Sequence, residues 1–327
     1  MGYSSLKLDK FLISMHNARM SHAQQAQISG NLCFVRAYAK INLTLDILGR
    51  RADGYHDLAT VMQTVDLYDT LCLTATSDDR VSLICTTPEL SNDENLAVRA
   101  AQLVRQRFAL RQGIGIELYK RIPMAAGLGG GSSDAAAVLL ALQQWWQLPF
   151  SPSDLLDMAA TLGSDVPFFL TGGLALCEGR GERVTTLTPY WPPSMRWLLL
   201  LKPAISVSTA AVFRSLPAGD YTDGSHSRAV CVAFDARSTP RLEDLHNGLK
   251  RSVLETYPEV ARARKDLLDA GASSVQLSGS GPTLFAPFSE LVCARRVQEH
   301  MQAQGYDVYL SRAIHSDARN VCFFKRT

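Results

Sequence analysis

Apolar and polar residues alternate along "CFVRAYAKINLTLDIL" (33–48), and this period of two predicts a strand. Asp53-Gly54 in "RADGYHD" marks a turn, after which the alternation resumes in "LATVMQTVDL", "DTLCLTAT" and "RVSLIC", three further predicted strands. Ser91 followed by Glu94 has the spacing of a capping box and is expected to open a helix over "ENLAVRAAQLVRQRF". "GIGIELYKRIP" returns to strand and leads into "PMAAGLGGGSSDAAAVLLALQQWW" (123–146), where a glycine-rich loop precedes a helical apolar run. Ser151-Pro152 starts another helix, which Gly163 should stop.

Short strands and glycine turns follow in "GSDVPFFLTGGLALCEGRGERVTTL". Pro189, Pro192 and Pro193 crowd into "TPYWPPS", which predicts a boundary near residue 190. Beyond it the pattern reads as a strand over Trp197–Leu201, a helix from Ser208, and helices near 243–256 and 258–270. Strands "SSVQLS" and "TLFAPF", a helix over 289–303 and a strand "DVYLSRAI" complete it. Strands and helices mixed in this way predict an α+β fold. With 327 residues, two domains are expected, 33–190 and 191–327.

Composition narrows the function classes. A formal charge of +2 gives no electrostatic reason to expect nucleic acid or an anionic membrane as partner. The apolar run in "RWLLLLKP" is strand-sized and too short to span a bilayer. The seven cysteines lack any CxxC or metal-ligand spacing and read as reduced thiols, which implies a cytoplasmic protein. Residues 1–32 are polar and lack the apolar core of a secretory signal; a disordered extension is expected there, or a later start at Met15 or Met20.

The glycine loop carries the candidate chemistry. It lacks the Gly-Lys-Ser/Thr of a Walker A loop, and no parallel βαβ unit makes it a dinucleotide fingerprint. Gly127, Gly129, Gly130 and Gly131 nevertheless let a backbone approach a phosphate, and the following helix N-terminus adds partial positive charge. Ser132, Ser133 and Asp134 are expected to cap that helix. A capped helix behind a flexible loop is the plainer alternative for the same residues.

"PMAAGLGGGSSDAA" resembles the phosphate loop of the GHMP kinase superfamily, and the form GLGGGSSDAA resembles the branch that phosphorylates 4-diphosphocytidyl-2-C-methyl-D-erythritol. "AYAKINLTLDILGRRADGYHDL", "GSDVPFFL" and "LSGSGPTLF" agree with that branch in order, so the resemblance covers about residues 34–315. It implies a ribosomal protein S5 domain 2-like N-terminal domain and a ferredoxin-like C-terminal domain. It further implies ATP and Mg²⁺ as cofactors, a cytidylylated methylerythritol as small-molecule substrate, and a monomer or homodimer.

The same resemblance assigns roles by residue. Lys40 and Asp165 match the catalytic lysine and the proton-accepting aspartate. Asp165 before Val-Pro is also placed to cap a short helix, so both roles stay open. Pro123, Met124, Ala125, Ala126, Gly127, Leu128, Gly129, Gly130, Gly131, Ser132 and Ser133 would surround ATP, with Asn95 at the adenine and Ser133 on Mg²⁺. Asn42, Tyr55, His56, Phe213, Gly279 and Gly281 would meet the acceptor, the aromatic rings receiving its cytosine; Phe213 reads equally as a core helix residue. A homoserine or mevalonate type kinase, or a non-catalytic nucleotide-binding module of the same fold, are the alternatives.

Overall fold

A computed structural model describes residues 32–315 and the short strand Phe323–Phe324; the expected N-terminal extension lies outside the described residues. The chain runs β1 (Leu32–Asn42), β2 (Asp46–Arg50), β3 (His56–Thr76), β4 (Val81–Cys85), α1 (Leu96–Arg107), β5 (Gly113–Tyr119) and α2 (Gly130–Trp145). Next come α3 (Pro152–Leu162), α4 (Val166–Thr171), β6 (Leu174–Gly179), β7 (Arg183–Thr186), β8 (Trp197–Lys202), α5 (Thr209–Ser215) and α6 (Ser225–Asp235). The chain closes through α7 (Lys250–Thr256), α8 (Pro258–Asp269), β9 (Gln276–Leu277), β10 (Leu284–Phe288), α9 (Leu291–Ala303), β11 (Asp307–Ser311) and β12 (Phe323–Phe324).

The result is a mixed α+β fold with two sheets. The eight-stranded sheet is organised around β3, 21 residues long, which pairs with β1, β2, β5 and β6 at different heights. Its outer strand β4 pairs in parallel with β5, while the other ladders are antiparallel. The second sheet, in the order β11-β8-β10-β9, is wholly antiparallel. Helices α1 to α4 bury apolar faces against the first sheet, and Leu267, Ala294 and Val297 of α8 and α9 pack on the second.

"WLLLLK" shows how the two sheets join. All four leucines of β8 are fully buried, yet successive side chains point to opposite faces. Leu199 and Leu201 enter the core beneath the helices of the second sheet, and Leu198 and Leu200 enter a core shared with Ile41, Val61 and Val65 of the first. A continuous apolar run thus serves a strand covered on both sides.

Several boundaries differ from the periodicity. The expected strand over 33–48 is two, because the chain leaves the ladder after Asn42 and Leu45 instead bridges to Asn247. The two strands expected across 58–76 form a single one, β3, whose register against β1 shifts between Tyr38 and Lys40. Ser91 does not cap α1: its hydroxyl accepts from the Cys85 N–H at 2.9 Å, and Asn95 caps through the Ala97 N–H instead. The helix near 243–256 begins only at Lys250, since residues before it turn to let Asn247 bind the carbonyls of Leu277 and Gly279. Helix α6 was not legible from periodicity; Ser227 at its start is held by the buried Asp46 carboxylate at 2.8 Å.

Candidate active site

A single cleft of about 1080 Å³ runs beside the glycine loop and contains most of the residues singled out from the sequence. Lys40, Asn42, Tyr55, His56, Asn95, Asp165, Phe213 and Gly279 all line it, as do Pro123 to Gly127 and Gly129 to Ser132. Leu128, Ser133 and Gly281 do not. Leu128 is buried in the core, although its carbonyl accepts from the Lys40 N–H at 3.0 Å. Ser133 is 1% exposed inside α2.

Helix α2 begins at Gly130, behind a left-handed Gly129 (φ 71°) that offers no side chain. Ser132, Ser133 and Asp134 therefore lie within the first turns and do not cap the helix, so its N–H groups keep their hydrogen-bonding capacity. A Cβ at Gly129 would stand 2.6 Å from Phe169 Cζ and 3.2 Å from Lys40 Cγ, so glycine is required there by packing as well as by φ. Gly127 has a different reason: its Cβ would meet the Ser278 carbonyl at 2.2 Å, and its own carbonyl accepts from Ser278 Oγ at 3.0 Å. The "SGSGPT" turn of the second sheet thus locks against the glycine loop.

Lys40 sits at the end of β1, 3% exposed, with its ammonium 2.6 Å from Asn42 Oδ1 and 3.5 Å from Asp165 Oδ2. Asn42 donates in turn to Thr60 Oγ1 at 2.8 Å, so both ends of its amide are committed to holding the lysine. Asp165 occupies the N-cap position of α4 but makes no side-chain capping bond. Its carboxylate, one third exposed, faces Lys40 and the cleft. Between the two readings of Asp165, the side chain supports the chemical one.

At the other end of the cleft the Tyr55 ring is 55% exposed, with the Arg180 guanidinium 5.2 Å above it. His56 packs against Phe213 at 5.2 Å and against the edge of Tyr221 at 5.9 Å. Burial, and then the nearby Arg50, hold the His56 imidazole below its ordinary pKa, so it faces the cleft as the neutral ring with a donor and an acceptor. Phe213 is half-buried, both a core contact of the second sheet and part of the cleft wall.

Periodicity missed three contributors. Lys120 bridges Asp69 at 2.5 Å and Asp134 at 2.8 Å, tying β3, the end of β5 and α2 together beneath the glycine loop. Burial lowers its pKa, and Asp134 and Asp69 more than offset that, so the lysine stays charged. Burial pushes Asp134 up to about 8, with Lys120 opposing and Asp69 adding to the rise. Tyr221 and Arg180 also line the cleft. An aspartate inside the apolar stretch "DLYDTLCL" was the available signal for Asp69.

The N-terminal domain family of GHMP kinases matches residues 95–173, and the C-terminal family matches 225–307. The 4-diphosphocytidyl-2-C-methyl-D-erythritol kinase of Pelotomaculum thermopropionicum is 42% identical over 85% of this chain and 97% of its own. The chain belongs to the 4-diphosphocytidyl-2-C-methyl-D-erythritol kinase family of GHMP kinases. A crystal structure of 4-(cytidine 5'-diphospho)-2C-methyl-D-erythritol kinase superposes with a TM-score of 0.73 at 35% identity, covering 86% of this chain and 98% of the other. Homoserine kinase from Cytophaga hutchinsonii (TM-score 0.67, 19% identity, 90% and 98% covered) shares the GHMP fold alone. Both matched regions contribute to the cleft, Asn95 to Asp165 from the first and Gly279 from the second, while Lys40, Tyr55, His56, Arg180 and Phe213 lie outside both.

Proposed function

We propose that the protein transfers the γ-phosphoryl group of ATP to the 2-hydroxyl of 4-diphosphocytidyl-2-C-methyl-D-erythritol, in the non-mevalonate route to isoprenoid precursors. The observation that carries this reading is one cleft that brings together the glycine-flanked start of α2, the Lys40–Asp165 pair and the Tyr55–His56–Phe213 group.

Each part has a physical task. The free N–H groups of α2 and the glycine backbone receive phosphate oxygens, where a helix N-terminus favours negative charge. The acceptor hydroxyl oxygen forms the new bond to γ-phosphorus as the bond to the β-phosphate oxygen breaks. ADP leaves, and Asp165 takes the hydroxyl proton. Lys40, buried and oriented by Asn42, offsets charge on the transferring group where little water competes. The aromatic end receives the cytosine, with Tyr55 as a stacking face and neutral His56 as an edge partner.

Among the described residues no three acidic, histidine or cysteine side chains cluster as a metal cage. Ser132, which reaches the cleft where Ser133 does not, would help to hold Mg²⁺ there beside the nucleotide phosphates. When bound, the ion neutralises charge on the β and γ oxygens. The same reading proposes domains at 33–190 and 191–327, a cytoplasmic location, and a monomer or homodimer. Among the described residues no helix is long and apolar enough to cross a membrane.

The test is ADP formation by the purified full-length protein with the cytidylylated acceptor, homoserine and mevalonate supplied separately. Turnover confined to the cytidylylated acceptor is expected. Turnover of homoserine or mevalonate would favour another GHMP kinase. Absence of phosphoryl transfer from γ-labelled ATP in a single turnover would favour a non-catalytic module.

A further inference from the structure

We propose that Arg180 reads the diphosphate of the acceptor, and so sets specificity for a cytidine diphosphate ester over a smaller alcohol. This rests on the cytidylylated-acceptor reading above and names a residue that reading leaves without a task.

Arg180 sits in the tight turn between β6 and β7. Gly179 (φ 73°) and Gly181 (φ 113°) flank it, and the Gly181 N–H donates to the Glu178 carbonyl at 3.1 Å. This turn is pressed against the reacting end of the cleft. A Cβ on Gly181 would lie 3.6 Å from the Ser164 carbonyl and 3.8 Å from Asp165 Oδ1, ordinary contact distances that place this turn beside the proton acceptor. The Arg180 side chain places its guanidinium 5.2 Å above the Tyr55 ring. The turn therefore adjoins the proton acceptor through Gly181 and the base platform through the Arg180 side chain. In a molecule with cytosine at one end and the reacting hydroxyl at the other, the segment between them is the diphosphate.

The charge balance agrees. Arg180 approaches Glu182 at 3.9 Å, beyond hydrogen-bond length, and Glu182 is also engaged by the Arg180 backbone N–H at 2.6 Å. Its side chain is one third exposed and faces a cleft lined by Arg50 and Arg214 and also by Asp53, whose carboxylate Arg180 attracts. A guanidinium presents paired N–H donors that match two phosphate oxygens, a geometry that an ammonium lacks. Arg50 and Arg214 add positive field, but Arg180 is the one whose guanidinium stands over Tyr55 and whose chain neighbour, Gly181, lies beside Asp165.

The plainer role for Arg180 is to brace Tyr55 by a cation–π contact. Cytidine and CDP separate the two roles, because they share the base and differ in the diphosphate. Calorimetric titrations of both ligands would use the full-length protein with its ATP site saturated by a non-hydrolysable ATP analogue. Wild type is compared with Arg180→Ala and Arg180→Lys, each checked by thermal unfolding. CDP should bind wild type at least tenfold tighter than cytidine. Arg180→Ala should erase most of that preference while changing cytidine affinity less than twofold, and Arg180→Lys should restore only part of it. Equal losses for both ligands would assign Arg180 to bracing Tyr55, and no loss for either would remove it from the site; each overturns the proposal. A wild-type protein that binds neither ligand would overturn the cytidylylated-acceptor reading itself, and this proposal with it.

Discussion

Lys40 Nζ stands 3.5 Å from Asp165 Oδ2, and no hydrogen bond from the Asp165 side chain caps the helix that begins beside it. The carboxylate is therefore committed to the cleft. Asp165→Asn keeps the shape and an acceptor oxygen toward Lys40 while removing the base. We expect kcat to fall by roughly 10²–10⁴, the usual contribution of a positioned general base. KM should change far less, because the lost interaction belongs mainly to the transition state. Thermal unfolding should stay close to wild type, since no capping bond is lost. Steady-state kinetics on a folded variant decide the matter, and turnover within a few-fold of wild type would remove Asp165 from the mechanism.

The glycine loop is best tested at Gly131. Gly129 is unsuitable, because any side chain there strikes Phe169 and the variant would lose stability as well as function. Gly131 is exposed in the first turn of α2, and a Cβ there meets only Leu96 Cδ1 at 3.6 Å. Gly131→Ala should fold with unchanged or higher stability, by up to about 1 kcal/mol from reduced backbone entropy. If ATP phosphates approach this backbone, the ATP KM should rise roughly tenfold, the scale of one charged hydrogen bond worth about 1.5 kcal/mol. Unchanged ATP KM would place the phosphates elsewhere.

Tyr55→Ala probes the base platform. Tyr55 is mostly exposed, so its loss should leave the unfolding midpoint nearly unchanged. The acceptor KM should rise by about tenfold or more, corresponding to the ~1–3 kcal/mol of a base stacked on an aromatic ring, while the ATP KM stays within a few-fold. Parallel increases in both constants would count against a cytosine at this ring.

Asp134 makes stability depend on pH. Its pKa in the folded protein is raised from 3.8 to about 8, by burial first, with Lys120 opposing and Asp69 adding. The folded state then binds the Asp134 proton more tightly than the unfolded state, so this group's contribution is full below pH 3.8 and is lost as pH rises toward 8. Asp134→Asn removes that dependence. Urea unfolding of both proteins at pH 5 and pH 8 should show the variant gaining on wild type at the higher pH. A stability difference that is constant between the two pH values would contradict the assignment.

Much of the site was legible before any fold was known. The order of "AYAKINL", the glycine loop, "GSDVPFF" and "SGSGPT" named Lys40, Asp165 and the loop glycines, and the cleft brings them together. Ser151 and Gly163 bound their helix as the local pattern indicated, and Asp154, three residues after Ser151, completes a capping box there. Turn chemistry and amphipathic period are carried by near neighbours, and there the sequence by itself determined the outcome.

Contacts between distant segments were decided only by the tertiary structure. Ser91 was the expected cap, but its hydroxyl went to the Cys85 N–H because β4 lies beside it, and Asn95 caps the helix instead. Ser132 and Ser133 are adjacent on one helix, yet only Ser132 reaches the cleft, because the face carrying Ser133 is buried. No local stretch joins Lys120, Asp69 and Asp134, since what unites them is a buried ammonium shared by carboxylates 51 and 14 residues away. A polar side chain removed from water must find a partner wherever the packed chain offers one. That choice depends on which segments fold against each other, and no local stretch of sequence contains it.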